Sequence, residues 1–557
     1  MTRPTQTGLS LDTDVMVLGG GPAGAWAAIS AAEAGARVVL ADKGYLGTSG
    51  AAASGGNNLW YLPEDESLRA RAVADREALG GRLTDRRWME RVQTETYRQI
   101  NRLAEWGYPF PRDEHGNERR SSLQGPEYMR RLRRKVHRSG VHILDHHPAL
   151  ELLTDADGTV SGAAGLRRQE GWTRWQARAG AVVLATGGCA FLSGAFGLNV
   201  DTGDGHLMAA ELGAELSGME FSSVYGRSPA FGNHTKGLMM QFASYYDASG
   251  RPLEAEGHKG AELIARRLAA GRPVHARLDR APTALRQSMR QAQPNYFLPL
   301  DKAGVDPFDE AYPLRLVFEG TVRGTGGLRL LTPDCATGVP GLYAAGDVAT
   351  RELVTGAASG GGSLNGAWAI SSGTWAGGGA ARFARNRGAL PPRHNLRPAG
   401  TTALRAAPPG GHPTTRAEVD ETVTTVQKEV LPLDRNYFRT ADRLHTSLRT
   451  LDTLWGRLAD QPAATDGRTM LRAREAAAMT AHARWMYRAA LAREESRGVH
   501  RRDDRPGTAA RFEHRLMVSG LEQLDVRADP VLPVLTAKGT RAARIAAGDA
   551  SQERRVS

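Results

Sequence analysis

Only two cysteines, Cys189 and Cys335, occur in 557 residues. Two thiols build neither a disulfide framework nor a four-thiolate cluster, so any iron–sulfur centre working with this chain would sit on another protein. No apolar run approaches the length of a bilayer span. The opening residues, MTRPTQTGLSLDTD, lack the apolar core of a secretion signal, and a cytoplasmic location is expected. Lysine is scarce as well. The cations behind the net charge of +12 are nearly all arginine and are scattered rather than striped with aromatics, so nucleic-acid binding is not expected. No histidine or cysteine spacing supports a metal site.

What is present near the amino terminus is an ordered series. Val15 to Leu18 form a short apolar run, as a strand buried on both faces of a parallel sheet requires. Gly19, Gly21 and Gly24 follow in a G-x-G-x-x-G pattern. The first permits a tight turn, the second a close approach of backbone amides to a pyrophosphate, and the third close packing of the next helix. Pro22 and Ala23 open that helix, whose unpaired N–H groups attract phosphate. A second strand ends at Asp42 and Lys43, the acid placed to accept hydrogen bonds from a ribose. Strand, turn, helix, strand and acid in this order predict dinucleotide binding. They leave FAD and NAD equal, because both share the adenosine diphosphate half.

A chain of this length exceeds one ordinary core. The expected class is α/β: a Rossmann-like dinucleotide-binding domain over residues 1–217 and 323–390, with an inserted α+β capping domain over 218–322. A Pro/Gly-rich linker over 391–415, a helical domain over 416–531 and a basic tail over 532–557 complete the expected organisation. VHILDHHPALELL and GTVSGAAGLRR alternate like antiparallel strands. Leu444, Leu448, Leu451 and Trp455, then Met479, Ala483, Met486 and Ala490, keep one apolar helix face. AGAVVLATGG repeats the strand-to-glycine turn at Ala185, Thr186 and Gly187. PGLYAAGDVAT supplies a second loop at Gly346 and Asp347, a close backbone approach with a carboxylate for ribityl hydroxyls. NAD has no ribityl chain, so FAD is the expected cofactor.

Taken together, LGGGPAGAWAAISAAEAG, TSGAAASGGNN, VVLATGG, DTGDGHLMAAELGAEL, GLYAAGDV, GSLNGAWAISSG and LAREESRGVHRRDDRP resemble the flavoprotein superfamily of fumarate reductase, succinate dehydrogenase, aspartate oxidase and adenylylsulfate reductase. The resemblance covers nearly the whole chain. GTSGAAASGG, QGPEY and SGGGSLNGAWAI lie nearest the adenylylsulfate reductase branch. The resemblance implies further cofactor contacts at Thr48, Ser49, Gly50, Ser54, Gly55, Gly56, Asp204, Ser363 and Leu364. Some members attach FAD through a histidine close to the place of Ser49, and no histidine stands there. Non-covalent FAD is therefore expected.

The dicarboxylate enzymes of the superfamily clamp substrate with two histidines and an arginine and move a proton with a second arginine. Where the resemblance places these groups, MEFSSVYGRSP has Tyr225 and GTVRGTGG has Val322 beside Arg323. GAASGGGS has no arginine, and EGHKGAELIARRL has Gly257, His258 and Lys259. Four departures argue against succinate or fumarate. Tyr225, Arg227, His258, Lys259 and Arg323 remain as polar or cationic groups expected at the flavin face, with Tyr225, His258, Lys259 and Arg323 as the catalytic candidates. Cys189 reads as buried filler, and His146 and His147 as structural. The leading expectation is an FAD-dependent oxidoreductase passing hydride between flavin N5 and a small polar, anionic metabolite, with an electron-transfer protein as a possible partner. The alternatives are an adenylylsulfate-reductase-like subunit served by a separate iron–sulfur protein, and a flavin-binding assembly subunit without catalysis.

Overall fold

The structure, a computed structural model, describes residues 8–530 except 113, 114, 236, 237, 256, 360, 362 and 406–411. The expected basic tail over 532–557 lies outside the described residues. Among the described residues no helix is long and apolar enough to cross a membrane.

Strand Leu9–Leu18 runs parallel to Val38–Ala41 on one side and to Thr173–Leu184 on the other. This two-sided pairing explains why Val15 to Leu18 are continuously apolar and buried. His142–Leu144 extends the parallel sheet beyond Val38–Ala41, and Leu342–Ala344 joins it beside the last residues of Thr173–Leu184. The earlier part of Thr173–Leu184 pairs antiparallel with Val160–Arg167, which pairs in turn with Ala149–Thr154. The stretch VHILDHHPALELL therefore divides. Its first strand is parallel and its second antiparallel, so the simple antiparallel reading holds only for the second. The segment read as a linker is partly built into the fold, because Arg397–Pro398 adds an edge strand to Ala149–Thr154.

Helix Pro22–Glu33 packs under helix Ser363–Arg387 at backbone distance. A Cβ at Gly373 would lie 2.4 Å from the Ala23 carbonyl oxygen, and one at Gly377 would lie 2.1 Å from that of Ala27. Small residues on both helices are what permit this approach.

Between Tyr225 and Phe318 the chain makes a separate five-stranded antiparallel sheet in the order Tyr225–Pro229, Tyr312–Phe318, Val274–Arg277, Ser244–Asp247, Pro252–Leu253. It has its own core around Tyr245, Ile264, Phe297 and Tyr312. The carboxy-terminal region contributes helices Arg416–Val430, Ala441–Asp460 and Gly467–Ala492. Thr415 and Glu418 form a reciprocal cap at the start of the first. Ala441–Asp460 buries the expected face of Leu444, Leu448, Leu451 and Trp455. Gly467–Ala492 is buried nearly all round instead, because it lies among neighbouring elements rather than on a surface.

The LAREESRGVHRRDDRP motif fastens this region to the rest. Arg493 pairs with Glu220 at 2.7 Å and Glu495 at 3.1 Å, and Arg497 pairs with Glu495 at 2.6 Å. Arg439 donates to the Glu220 carbonyl and contacts His500 Nδ1, both at 2.7 Å. Charges this deeply buried persist only when paired and hydrogen-bonded; Arg493 and Arg439 reach the Met219–Ser222 turn through Glu220, and Arg497 donates to the Gly81 carbonyl.

The helix contact gives a stability test. Gly377→Val forces a side chain into the Ala27 carbonyl and is expected to destabilise the fold by about 1–3 kcal/mol, read as a lower thermal midpoint. Gly378→Ala, whose Cβ would meet only Ser30 and Arg382 side-chain atoms beyond 3.4 Å, is expected to leave the midpoint unchanged.

Candidate active site

A cavity of about 680 Å³ opens where the parallel strands end. Leu18 leads into Gly19–Ala23, Ala41 into Asp42 and Lys43, Leu184 into Ala185–Gly187, and Ala344 into Gly346 and Asp347, and all of these loops line it. Carboxyl ends of parallel strands are where open α/β sheets bind ligands.

The first loop is held by the sheet itself: Gly19 N–H donates to Ala41 at 2.8 Å and Ala185 N–H to Leu18 at 2.7 Å. Gly19 has φ +110°, and a Cβ there would lie 2.2 Å from the Ala185 carbonyl oxygen, so only glycine fits. Gly21 is the opposite case. A Cβ on it would meet nothing within 4 Å, so it faces open cavity at the amino end of helix Pro22–Glu33. Gly24 does not line the cavity; it lets the helix rest on the Gly19 carbonyl.

Asp42 accepts from Gly44 N–H at 2.7 Å and from the Ser49 hydroxyl at 3.2 Å. Burial pushes its carboxyl above the ordinary value, against the pull of these donors. Lys43 pairs with Asp204 at 2.7 Å and with Glu475 of the last long helix at 3.0 Å. Burial opposes its charge, yet the two carboxylates outweigh it and raise its pKa. The second loop is fixed from helix Ser363–Arg387: Gly346 N–H donates to Ser372 Oγ at 2.9 Å, and Trp368 Nε1 donates to the Gly346 carbonyl at 3.1 Å.

At the other end stand Val322 and Arg323. Arg323 pairs at 3.1 Å with Glu319, whose side chain has no exposed surface. Thr235 Oγ1 donates to the same carboxylate at 2.7 Å. Asn365 Nδ2 donates to the Val322 carbonyl at 3.0 Å. Thr235 and Gln293 reach the cavity from the inserted unit. Thr186 Oγ1, Asn365 Oδ1 and Gln293 Oε1 are buried without a hydrogen-bond partner among the described residues. Orphaned polar atoms around an open glycine cradle fit a polar dinucleotide such as FAD, which would supply partners for them.

Of the residues expected from sequence, Gly19, Gly21, Pro22, Ala23, Asp42, Lys43, Ser49, Gly50, Gly56, Ala185, Thr186, Gly187, Asp204, Gly346, Asp347, Ser363 and Arg323 line this one cavity. Others support it from behind. Thr48 closes a turn onto Tyr45, Ser54 donates to Ala51 and Phe196 carbonyls, the Gly55 carbonyl receives Gly125 N–H, and Leu364 is core. Tyr225 departs from expectation. It does not line the cavity; its hydroxyl donates to the Leu431 carbonyl at 3.1 Å, and its ring packs on Phe318 and Tyr437. Burial holds its phenol well above the ordinary pKa. Tyr225 thus joins the inserted unit to the helical region, and it leaves the catalytic set. Arg227 is likewise absent from the lining and donates to Tyr245 Oη within the inserted unit. His258 and Lys259 begin helix Gly257–Ala269, and their side chains lie outside the described residues. Cys189 is fully buried with its thiol pKa raised by that burial. The His147 main-chain N–H donates to the Asp42 carbonyl at 2.7 Å, and its ring Nδ1 contacts the Asp145 carbonyl at 2.6 Å.

Sequence reading missed Asn57, Asn58, Tyr128, Thr235, Gln293 and Asn365 in the lining, and Arg351 beneath it. Tyr128 and Asn365 stand inside quoted motifs and were within reach. Nothing in the local sequence marks Gln293.

Residues 14–364 match the family model described as FAD binding domain, and residues 428–531 match fumarate reductase flavoprotein C-term. The chain is 28% identical over 382 residues to an L-aspartate oxidase of Streptomyces coelicolor. That similarity spans 61% of this chain and 64% of the oxidase. Its fold is similar to the quinol fumarate reductase flavoprotein of Escherichia coli, with a TM-score of 0.78, 21% identity, and coverage of 95% and 98% of the two chains. It is also similar to adenylylsulfate reductase of Archaeoglobus fulgidus, with a TM-score of 0.68, 17% identity, and coverage of 96% and 100%.

Gly21→Val places a side chain where the cavity is empty, so the variant is expected to fold and to lose FAD. Flavin absorbance of the purified variant, with circular dichroism as the control for folding, checks this.

Proposed function

This chain belongs to the fumarate reductase, succinate dehydrogenase, aspartate oxidase and adenylylsulfate reductase flavoprotein superfamily, and on that premise we propose that it is an FAD-dependent oxidoreductase acting on a small anionic metabolite other than succinate or fumarate. The observation that carries this reading is Arg323, a cation in the cavity wall braced by the buried carboxylate of Glu319. FAD bound between the two loops supplies the hydride acceptor or donor at N5.

The protein's own part is placement. Arg323 binds the anionic group and turns the reacting carbon toward the cavity; hydride transfer needs that carbon within about 3–3.5 Å of its partner. Glu319 and Thr235 hold Arg323 in one orientation, so little side-chain freedom is lost when substrate arrives. Proton transfer is assigned to the helix start at His258 and Lys259, on the superfamily pattern alone. Among the described residues no histidine or cysteine lines the cavity, which supports FAD held without a covalent link.

Rejection of dicarboxylates follows from what replaces the clamp. Val322 stands in the wall where the dicarboxylate enzymes' pattern has a histidine, Tyr225 is spent on packing, and the GAASGGGS stretch offers no arginine. A second reading, an adenylylsulfate-reductase-like subunit with a separate iron–sulfur partner, is favoured by the position of Tyr128, the last residue of QGPEY, in the cavity wall.

Arg323→Met keeps length and removes charge. With the true substrate, KM is expected to rise by about tenfold or more while FAD content stays intact, because a charged hydrogen bond contributes roughly 1.5–3 kcal/mol. In the same assays succinate and fumarate are expected to give no flavin turnover in the wild type. Turnover with either at an ordinary enzymatic rate, or an unchanged KM in Arg323→Met, contradicts the assignment.

A further inference from the structure

Arg351 is one of the largest fully buried side chains, with no exposed surface. It sits four residues after Asp347, and its Nη1 donates to the Asp347 carboxylate. Its Nη2 donates to three main-chain carbonyls of a distant stretch: Thr321 at 2.7 Å, Val322 at 3.2 Å, and Gly324. Asp347, Val322 and Arg323 all line the cavity, whereas Arg351 does not. One planar guanidinium therefore ties the loop behind the cofactor to the turn that presents the substrate cation.

The chemistry suits arginine alone. A guanidinium offers donors on separate edges of a rigid plane, so it can hold a carboxylate on one side and a row of carbonyls on the other. An ammonium is a single point and cannot span both. Other ties hold the Thr321–Gly324 turn as well. They include backbone hydrogen bonds from Thr321 N–H to Cys189 at 3.1 Å, Val322 N–H to Glu319 at 3.2 Å, Gly324 N–H to Gly320 at 2.8 Å and Thr325 N–H to Phe221 at 3.2 Å. Thr321 Oγ1 accepts from Cys189 N–H at 2.8 Å and meets His482 Nε2 at 3.1 Å. Ser359 donates to the Arg323 carbonyl at 3.3 Å, and the Asn365 amide donates to Val322. None of these runs to Asp347.

We infer that Arg351 is a positioning residue that couples the two halves of the site, so that FAD bound against Asp347 orders the Thr321–Thr325 turn and thereby sets Arg323 for the anionic substrate. This rests on the assignment of Arg323 as the anion-binding group. By linkage, whatever FAD contributes to ordering the turn, a bound anion returns to FAD affinity. The turn is prearranged by the cofactor rather than by the substrate.

The coupling can be measured without a substrate, by hydrogen–deuterium exchange of the full-length protein with and without saturating FAD. In the wild type, FAD is expected to slow amide exchange both at residues 19–24 and at residues 321–325. In Arg351→Lys, FAD is expected still to protect 19–24 while protection at 321–325 falls by about tenfold. Arg351→Gln, with donors but no charge, carries the same expectation should the lysine variant fold poorly. Equal protection of 321–325 in wild type and variant overturns the inference, since FAD would then order the turn without Arg351. Failure of the substrate assignment shows separately, as unchanged kinetics in Arg323→Met, and leaves the exchange result intact.

Discussion

The distance between two backbones governs this molecule. Helix Ser363–Arg387 can touch helix Pro22–Glu33 only because Gly373 and Gly377 face the carbonyls of Ala23 and Ala27. The same helix holds Gly346 from both sides, through Ser372 and Trp368. A Cβ on Gly346 would lie 2.7 Å from that of Ala23, so the second cofactor loop rests against the first helix. The separation of the two loops proposed to hold FAD is thus set by helix packing, one layer away from the cavity. Interiors are close-packed, so an error of one methyl group there is transmitted directly to the site.

Arginine performs the second kind of fastening. The excess of this residue suggests an anionic partner at first sight, yet its most informative members are internal. Arg351 joins two cavity loops, Arg493 and Arg497 close the carboxy-terminal motif, and Arg474 bridges Glu211 with the carbonyls of Leu150 and Thr402. Each satisfies main-chain oxygens that regular secondary structure leaves unpaired. A buried guanidinium is tolerated where most of its donors find partners, Nε of Arg351 being an exception, and its rigidity fixes segments that are distant in sequence.

Much of the cofactor site was legible because its chemistry is local. A strand, a glycine turn and a helix start are contiguous in sequence, so Gly19, Gly21, Asp42 and the Gly346–Asp347 loop could be placed before any fold was known. The substrate end was less legible because it is assembled from afar. Gln293 and Thr235 come from an inserted unit whose sequence carries no turn signature, and Glu475 reaches Lys43 from a helix more than four hundred residues on. Tyr225 failed for a different reason. The pattern located its backbone, but the side chain points to Leu431 and Tyr437, where a hydroxyl finds carbonyls that no local motif announces. Strand assignment showed the same limit, since His142–Leu144 is too short to reveal which neighbour it pairs with.

The central claim is that Arg323, braced by Glu319 and backed by Arg351, is the cation that meets the substrate beside FAD. The most direct measurement is a crystal structure of the FAD complex soaked with acetate, a small monocarboxylate. The account predicts the acetate carboxylate within hydrogen-bonding distance of the Arg323 guanidinium, with the Glu319 pair intact. An Arg323 turned away from the flavin, with the anion held by other residues, would contradict it.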